Sequence, residues 1–157
     1  MTVRASDGSL TDTQAISITV TAVNDNNPVI TSNGGGATAA VSIAENTTAV
    51  TTVAATDVDL PPQTLTYSIV GGADQALFSI DGATGVLTFV AAPNFEAPTD
   101  ADSDNVYDVT VQASDGGLTD TQAIAVTVTS VNESTPVISS NGGGATAAVS
   151  IAENTTA

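Results

Sequence analysis

Two short stretches of this chain carry acids at alternate positions: DVD at residues 57–59 and DADSDN at residues 100–105. Alternate spacing lets a loop turn several oxygens toward one point. Hard cations such as calcium take about six to eight oxygens from carboxylates, amides, backbone carbonyls and water. The chain has no His and no Cys, so its ligand set is all oxygen, which disfavours zinc and copper. Magnesium keeps its waters and seldom receives a dedicated protein cage, so calcium is the better fit. A third polar run, AVNDNNP at residues 22–28, puts Asn24, Asp25 and Asn26 just ahead of Pro28. The same place one repeat later reads SVNESTP.

The remaining acids fall mainly at strand ends and loops: Glu45 in IAENTT, Glu96 in PNFEAP, Asp115 in ASDGG and its copy Asp7 in ASDGS. Asp and Asn are common in turns for backbone reasons alone. Asp81 and Asp120 are read as solvated turn residues on that ground. For Asp100, Asp102 and Asp104 two readings stay open: a separate local cation site, or an exposed acidic loop.

Seventeen acids face a single basic side chain, Arg4, for a formal net charge of −16. Such a surface repels nucleic acid and anionic membranes, and it repels itself. Salt or divalent cations must offset it, or the acids merely solubilise the chain. No apolar run reaches the roughly twenty residues of a membrane span, and no basic, apolar leader opens the sequence. Without Cys there is no disulfide.

The elements that must position these acids follow from a repeat. NGGGATAAVSIAENTTA occurs at 33–49 and again, unchanged, at 141–157, a period of 108 residues. At that offset 39 of the first 49 residues are identical to 109–157. The chain therefore reads as about one and a half units of a tandem array. Junctions at Pro28 and Pro136 divide it into 1–27, the end of a preceding repeat; 28–135, a complete repeat; and 136–157, the start of the next. Within the complete unit, period-two alternation dominates. It puts Leu65, Tyr67 and Ile69 on one face, as it does Tyr107, Val109, Val111 and Ala113, and Ile124, Val126 and Val128. Leu87, Phe89, Phe78 and Ile80 also read as inward. Turn signals at Pro61-Pro62, Gly71-Gly72, Asp81-Gly82 and Asp115-Gly116 separate the runs. Seven or so short strands in about 100 residues indicate an all-β, antiparallel Greek-key β-sandwich.

The motifs ATDVD, LTYSI, FSID-x-x-TGVL, V-x-ASDG and VNDN-x-P, in that order along the unit, resemble a cadherin repeat, in the form seen in large bacterial surface proteins. That resemblance implies sandwiches joined end to end with calcium held between neighbours. It implies ligand roles for Glu45 (copied as Glu153), Asp57, Asp59, Glu96 and Asp115, and for Asn24, Asp25 and Asn26 in the linker. This sequence departs from the family pattern at Ala22, where the linker has lost its first aspartate, and at Asn94, which replaces the aspartate before Glu96. Pro28 stiffens the exit and holds the residue before it extended. At the second linker Ser130, Asn132, Glu133 and Ser134 replace the set, and only Asn132 is unchanged. That junction is expected to hold metal more weakly, or none. Each junction draws ligands from two repeats, so neither is expected to be complete in this chain.

The expected function is structural: a secreted, extracellular, calcium-stiffened spacer or adhesive stalk, bacterial by its resemblance. Its partners are neighbouring repeats and, by strand exchange, other copies assembling into fibres. The alternative is a carbohydrate-binding module. Tyr67 and Tyr107 reading as core counts against it, since sugar platforms want exposed aromatics. Enzyme chemistry is not expected, because His, Cys and Lys are missing and no pair of acids sits in an evident apolar pocket. The NTT triplets at Asn46 and Asn154 and the NES triplet at Asn132 match glycosylation acceptors.

Overall fold

The computed structural model describes residues 1–153; Asn154 and the rest of the second NTT triplet lie outside them. Eleven strands are defined among the described residues. β1 (Thr2–Ser6) and β2 (Thr11–Ala15) pair only with each other. The sandwich is built from β3 (Val29–Ile30), β4 (Thr38–Ala44), β5 (Ala49–Thr52), β6 (Ala55–Thr56), β7 (Thr66–Gly71), β8 (Phe78–Ile80), β9 (Val86–Phe89), β10 (Val106–Ser114) and β11 (Thr119–Thr129). One sheet has the order β4-β11-β10-β7, and the opposing strands form β5-β9-β8 and the short pair β3-β6. All pairings are antiparallel except β4 with β11, where Ala123 to Thr129 run alongside Thr38 to Ala44 in parallel.

Alternation positions the core. Tyr107, Val109, Val111 and Ala113 of β10, and Ile124, Val126 and Val128 of β11, are all buried, because every second side chain of a strand faces the same way. Leu87 and Phe89 of β9 meet them from the other layer with Phe78, Val53 and Ile30. Phe89 packs edge-on against Tyr107 at 5.1 Å and tilted against Phe78 at 4.3 Å. All five aromatic side chains are buried or half-buried, so the exposed stacking platform that a sugar would need is not offered.

Two polar residues anchor the small strands. Asp120 lies in β11, not in a turn as its sequence context suggested. Its carboxylate accepts the Ile30 N–H at 2.8 Å and so ties β3 to the main sheet. Gln122 is fully buried and donates to the Gly36 carbonyl at 2.8 Å, which fixes the loop leading into β4. Gly85 (φ +72°) lets two backbones approach: a Cβ there would lie 2.1 Å from the Val53 carbonyl oxygen.

The flanking copies behave differently. The β1-β2 hairpin repeats the register of the β10-β11 hairpin, Thr2 opposite Ala15 as Thr110 is opposite Ala123. Among the described residues it has no second layer, and all its strand residues are exposed. Residues 146–152 match β4 residue for residue but form no strand.

Candidate metal centres

The strand directions put the acids at two ends. β10 runs toward the Asp115 turn and β11 runs back from it, so Asp115 marks one end. β4 runs parallel to β11 and delivers Glu45 to the other end.

At the first end the linker 24–26 folds onto the acids that follow β6. Asp59 is buried, and its Oδ2 accepts the backbone N–H groups of Asp25 (3.2 Å) and Asn26 (3.1 Å). The Asn26 amide donates to Asp59 and to Asp25 Oδ1. Asp57 Oδ1 accepts the Asp59 N–H at 2.8 Å, and its Oδ2 is buried with no hydrogen-bond partner. Asp115 Oδ1 accepts the N–H groups of Gly117 and Leu118 at 2.7 Å each, while its Oδ2 is likewise buried and unpartnered. Asn24 reaches the same turn: a Cβ on Gly117 would stand 3.0 Å from its amide nitrogen. Hydrogen bonds hold two of these acids below the usual carboxylate range. For Asp59 the largest cause is the Asn26 side chain. For Asp115 it is the Leu118 N–H, then that of Gly117. Pro28, buried, follows directly and closes the linker against the sandwich.

At the second end, Glu45, Glu96 and Glu133 each offer a carboxylate oxygen, and these oxygens lie within 4.8 Å of one another. Glu45 is buried. Its Oε2 accepts the Phe95 N–H at 2.8 Å and its Oε1 the Val131 N–H at 2.7 Å, so one side chain joins the loop before Glu96 to the exit of β11. Those two bonds, Val131 first, lower its pKa from 4.5. Glu133 is held by the Asn46 amide at 2.9 Å, and Asn46 takes a left-handed φ of +62° to deliver it. Asn132 and Ser134 are exposed. Glu133 stands where the first linker has Asp25, and its extra methylene gives it the longer reach.

Asp100, Asp102 and Asp104 form a third group, again with oxygens within 4.8 Å of one another. Asp100 is buried and the other two are exposed. Asp104, then burial, then Asp100 raise the pKa of Asp102 above 3.8.

Sequence reasoning took Asn46 only as a glycosylation acceptor and passed over Asp74. Asn46 carried a usable signal, since Asn in a turn tolerates positive φ. Asp74 carried none: it is buried, and it binds the Ala101 and Asp108 N–H groups across separations of 27 and 34 residues.

Comparison with known proteins supplies the frame. The cadherin domain family model matches residues 39–129, more than half of the chain. Human Protocadherin Fat 1 is 35% identical over 134 residues, which is 83% of this chain and 3% of that protein. Protocadherin-11 X-linked from Pongo pygmaeus is 32% identical over 149 residues, 88% of this chain and 10% of its own length. The chain thus spans a small part of these relatives. Among solved structures, that of Protocadherin Gamma B7 extracellular cadherin domains 1-4 superposes with a TM-score of 0.60 at 28% identity, over 78% of this chain and 29% of that one. The sandwich of nine strand segments, the acids gathered at its two ends and the match over 39–129 lead to one conclusion: the chain belongs to the cadherin domain family.

Proposed function

We propose that the chain is a piece of an extracellular adhesive stalk in which calcium at the junctions stiffens a run of cadherin repeats. It comprises a complete repeat over 28–135, with the end of the preceding repeat at 1–27 and the start of the next at 136–157. The observation that carries this reading is the pair of buried, unpartnered oxygens at the first junction, Asp57 Oδ2 and Asp115 Oδ2. A buried carboxylate oxygen without a partner is costly, and the one basic side chain, Arg4, lies in the separate β1-β2 hairpin. An all-oxygen set of Asn24, Asp25, Asn26, Asp57, Asp59 and Asp115 suits calcium. Glu45, Glu96 and Glu133 suit it at the second junction. The ion would supply the positive charge that turns a flexible linker into a fixed one. Extracellular placement accords with the similarity to the extracellular domains of Protocadherin Gamma B7 and GammaB4.

The test is thermal unfolding with calcium in excess, then with chelator, at fixed ionic strength. Calcium at 100 times its dissociation constant adds about 2.7 kcal/mol, which raises the midpoint by several degrees in a domain of this size. An equal rise with magnesium overturns the reading, as does the absence of a rise in a chain extended to two whole repeats.

A second reading, self-assembly, is favoured by exposed apolar side chains. Ile18 and Val20 are 73% and 90% exposed, while their copies Val126 and Val128 are 0% and 1%. Val149 and Ile151 are 69% and 78% exposed. By the register of β4 on β11, residues 146–152 of one copy would run parallel to residues 15–21 of another. This is a heterologous contact that does not close, so it would make fibres. Light scattering that gives a monomer mass at every concentration removes it.

A further inference from the structure

We propose that the loop 100–105 is a calcium site internal to the repeat and independent of both junctions, with Asp100, Asp102 and Asp104 as its carboxylate ligands. The key observation concerns Asp100. It is 6% exposed, so its carboxylate is almost wholly out of water. Its Oδ2 accepts the N–H groups of Asp104 (2.7 Å) and Asn105 (3.0 Å). Its Oδ1 is buried and has no partner. A buried carboxylate oxygen left without a partner is costly unless a cation meets it. None is available nearby: the only basic side chain is Arg4. What does surround the Asp100 carboxylate is further negative charge, since one of its oxygens lies within 4.8 Å of carboxylate oxygens of Asp102 and Asp104.

The rest of the loop is fixed by hydrogen bonds, one of which, from the Val106 N–H to Asp104 Oδ1 at 2.8 Å, uses an oxygen of the cluster. Asp74, buried, uses both oxygens on backbone N–H groups, Ala101 at 2.8 Å and Asp108 at 2.8 Å. It therefore anchors the loop at both ends. Asn105 takes φ +66°, and its amide donates to the Phe95 carbonyl at 3.1 Å. Acids at the first, third and fifth positions and a left-handed residue at the sixth match the opening half of the calcium loop in EF-hands. That loop closes with a glutamate at its twelfth position, which here is Val111 in the core. Backbone carbonyls and water must fill the remaining positions, which puts the affinity in the range of extracellular modules, about 0.1–1 mM.

The test is a calcium titration of the full chain followed by backbone amide NMR. The amide resonances of Ala101, Asp104, Asn105 and Val106 are expected to move saturably. They are expected to do so unchanged in Asp59→Asn, which alters the first junction, and in Glu133→Gln, which alters the second. In Asp102→Asn and in Asp104→Asn, both at exposed positions where folding is not at risk, the apparent affinity at these amides is expected to fall at least tenfold. Resonances that stay still up to about 10 mM calcium, well above that affinity range, overturn the proposal. So does a response lost equally in Asp59→Asn or in Glu133→Gln, which would make it an echo of a junction. An equal response to magnesium overturns the assignment to calcium.

Discussion

Asp81 and Glu45 show how much of this protein's behaviour rests on single carboxylates that accept backbone N–H groups. Asp81 Oδ1 accepts from Ala83 (3.0 Å) and Thr84 (2.8 Å) across the turn between β8 and β9. The Thr84 N–H is the largest cause of a pKa below the ordinary 3.8. A lowered folded-state pKa contributes stability that is complete above the ordinary value and is lost as pH falls through the lowered one. Urea midpoints measured from about pH 5 down to about pH 2 should therefore decline, and Asp81→Asn should flatten part of that decline. Glu45→Ala removes the acceptor for both Phe95 and Val131. The urea midpoint is expected to fall with the m-value unchanged, and the backbone of 131–133 should lose its protection from hydrogen exchange. The two linkers also differ at this scale. Of the ten positions at which residues 1–49 depart from 109–157, four are 22, 25, 26 and 27. Those four fall within six consecutive linker residues, so the copies differ most densely where they join.

Among the elements, β11 decides which copies become sandwich. It pairs with β10 on one side and β4 on the other, and three of its side chains fill the core. Ile124→Ala should cost about 2–5 kcal/mol, as for other buried large-to-small changes. The same change in its copy, Ile16→Ala, falls on a side chain 36% exposed in the hairpin region and should cost within about 0.5 kcal/mol. Chemical denaturation of the two variants side by side measures the difference. Gly85→Ala is a second test. It combines a left-handed φ with a Cβ driven into the Val53 carbonyl. A loss of at least about 2 kcal/mol is expected, because the strain and the clash both fall on backbone atoms.

For the whole molecule, the net charge of −16 and the position of the acids act together. Self-repulsion opposes compaction, and divalent ions relieve it both generally and at sites. Raising sodium chloride at constant chelator should stabilise the chain modestly by screening. Calcium at matched ionic strength should do more, and Asp57→Asn with Asp59→Asn should remove most of the calcium-specific part while leaving the salt response. Thermal midpoints of the wild type and the double variant under the two conditions separate these contributions.

The sequence by itself determined the sandwich, its inward faces and the gathering of acids at strand ends. These follow from period-two alternation and turn chemistry, which are local. The turn at Ser32–Gly34 recurs at Ser140–Gly142 with Gly35 and Gly143 at φ +69° and +65°, since a turn needs only its own residues. What followed each turn was decided elsewhere. Residues 38–44 and 146–152 are identical, yet only the first stretch is a strand, because only it has β11 to complete its ladder. The same holds for the acids. Spacing brought out Asp100, Asp102 and Asp104, which are neighbours in sequence. It could not bring Glu133 to Glu45 or Asp74 to Ala101, because those meetings depend on sheet register and loop closure over tens of residues. Nor could it say which oxygens would be left buried without a partner. That is set by the burial and hydrogen bonding of the whole fold, which leave Asp57, Asp100 and Asp115 each with one such oxygen.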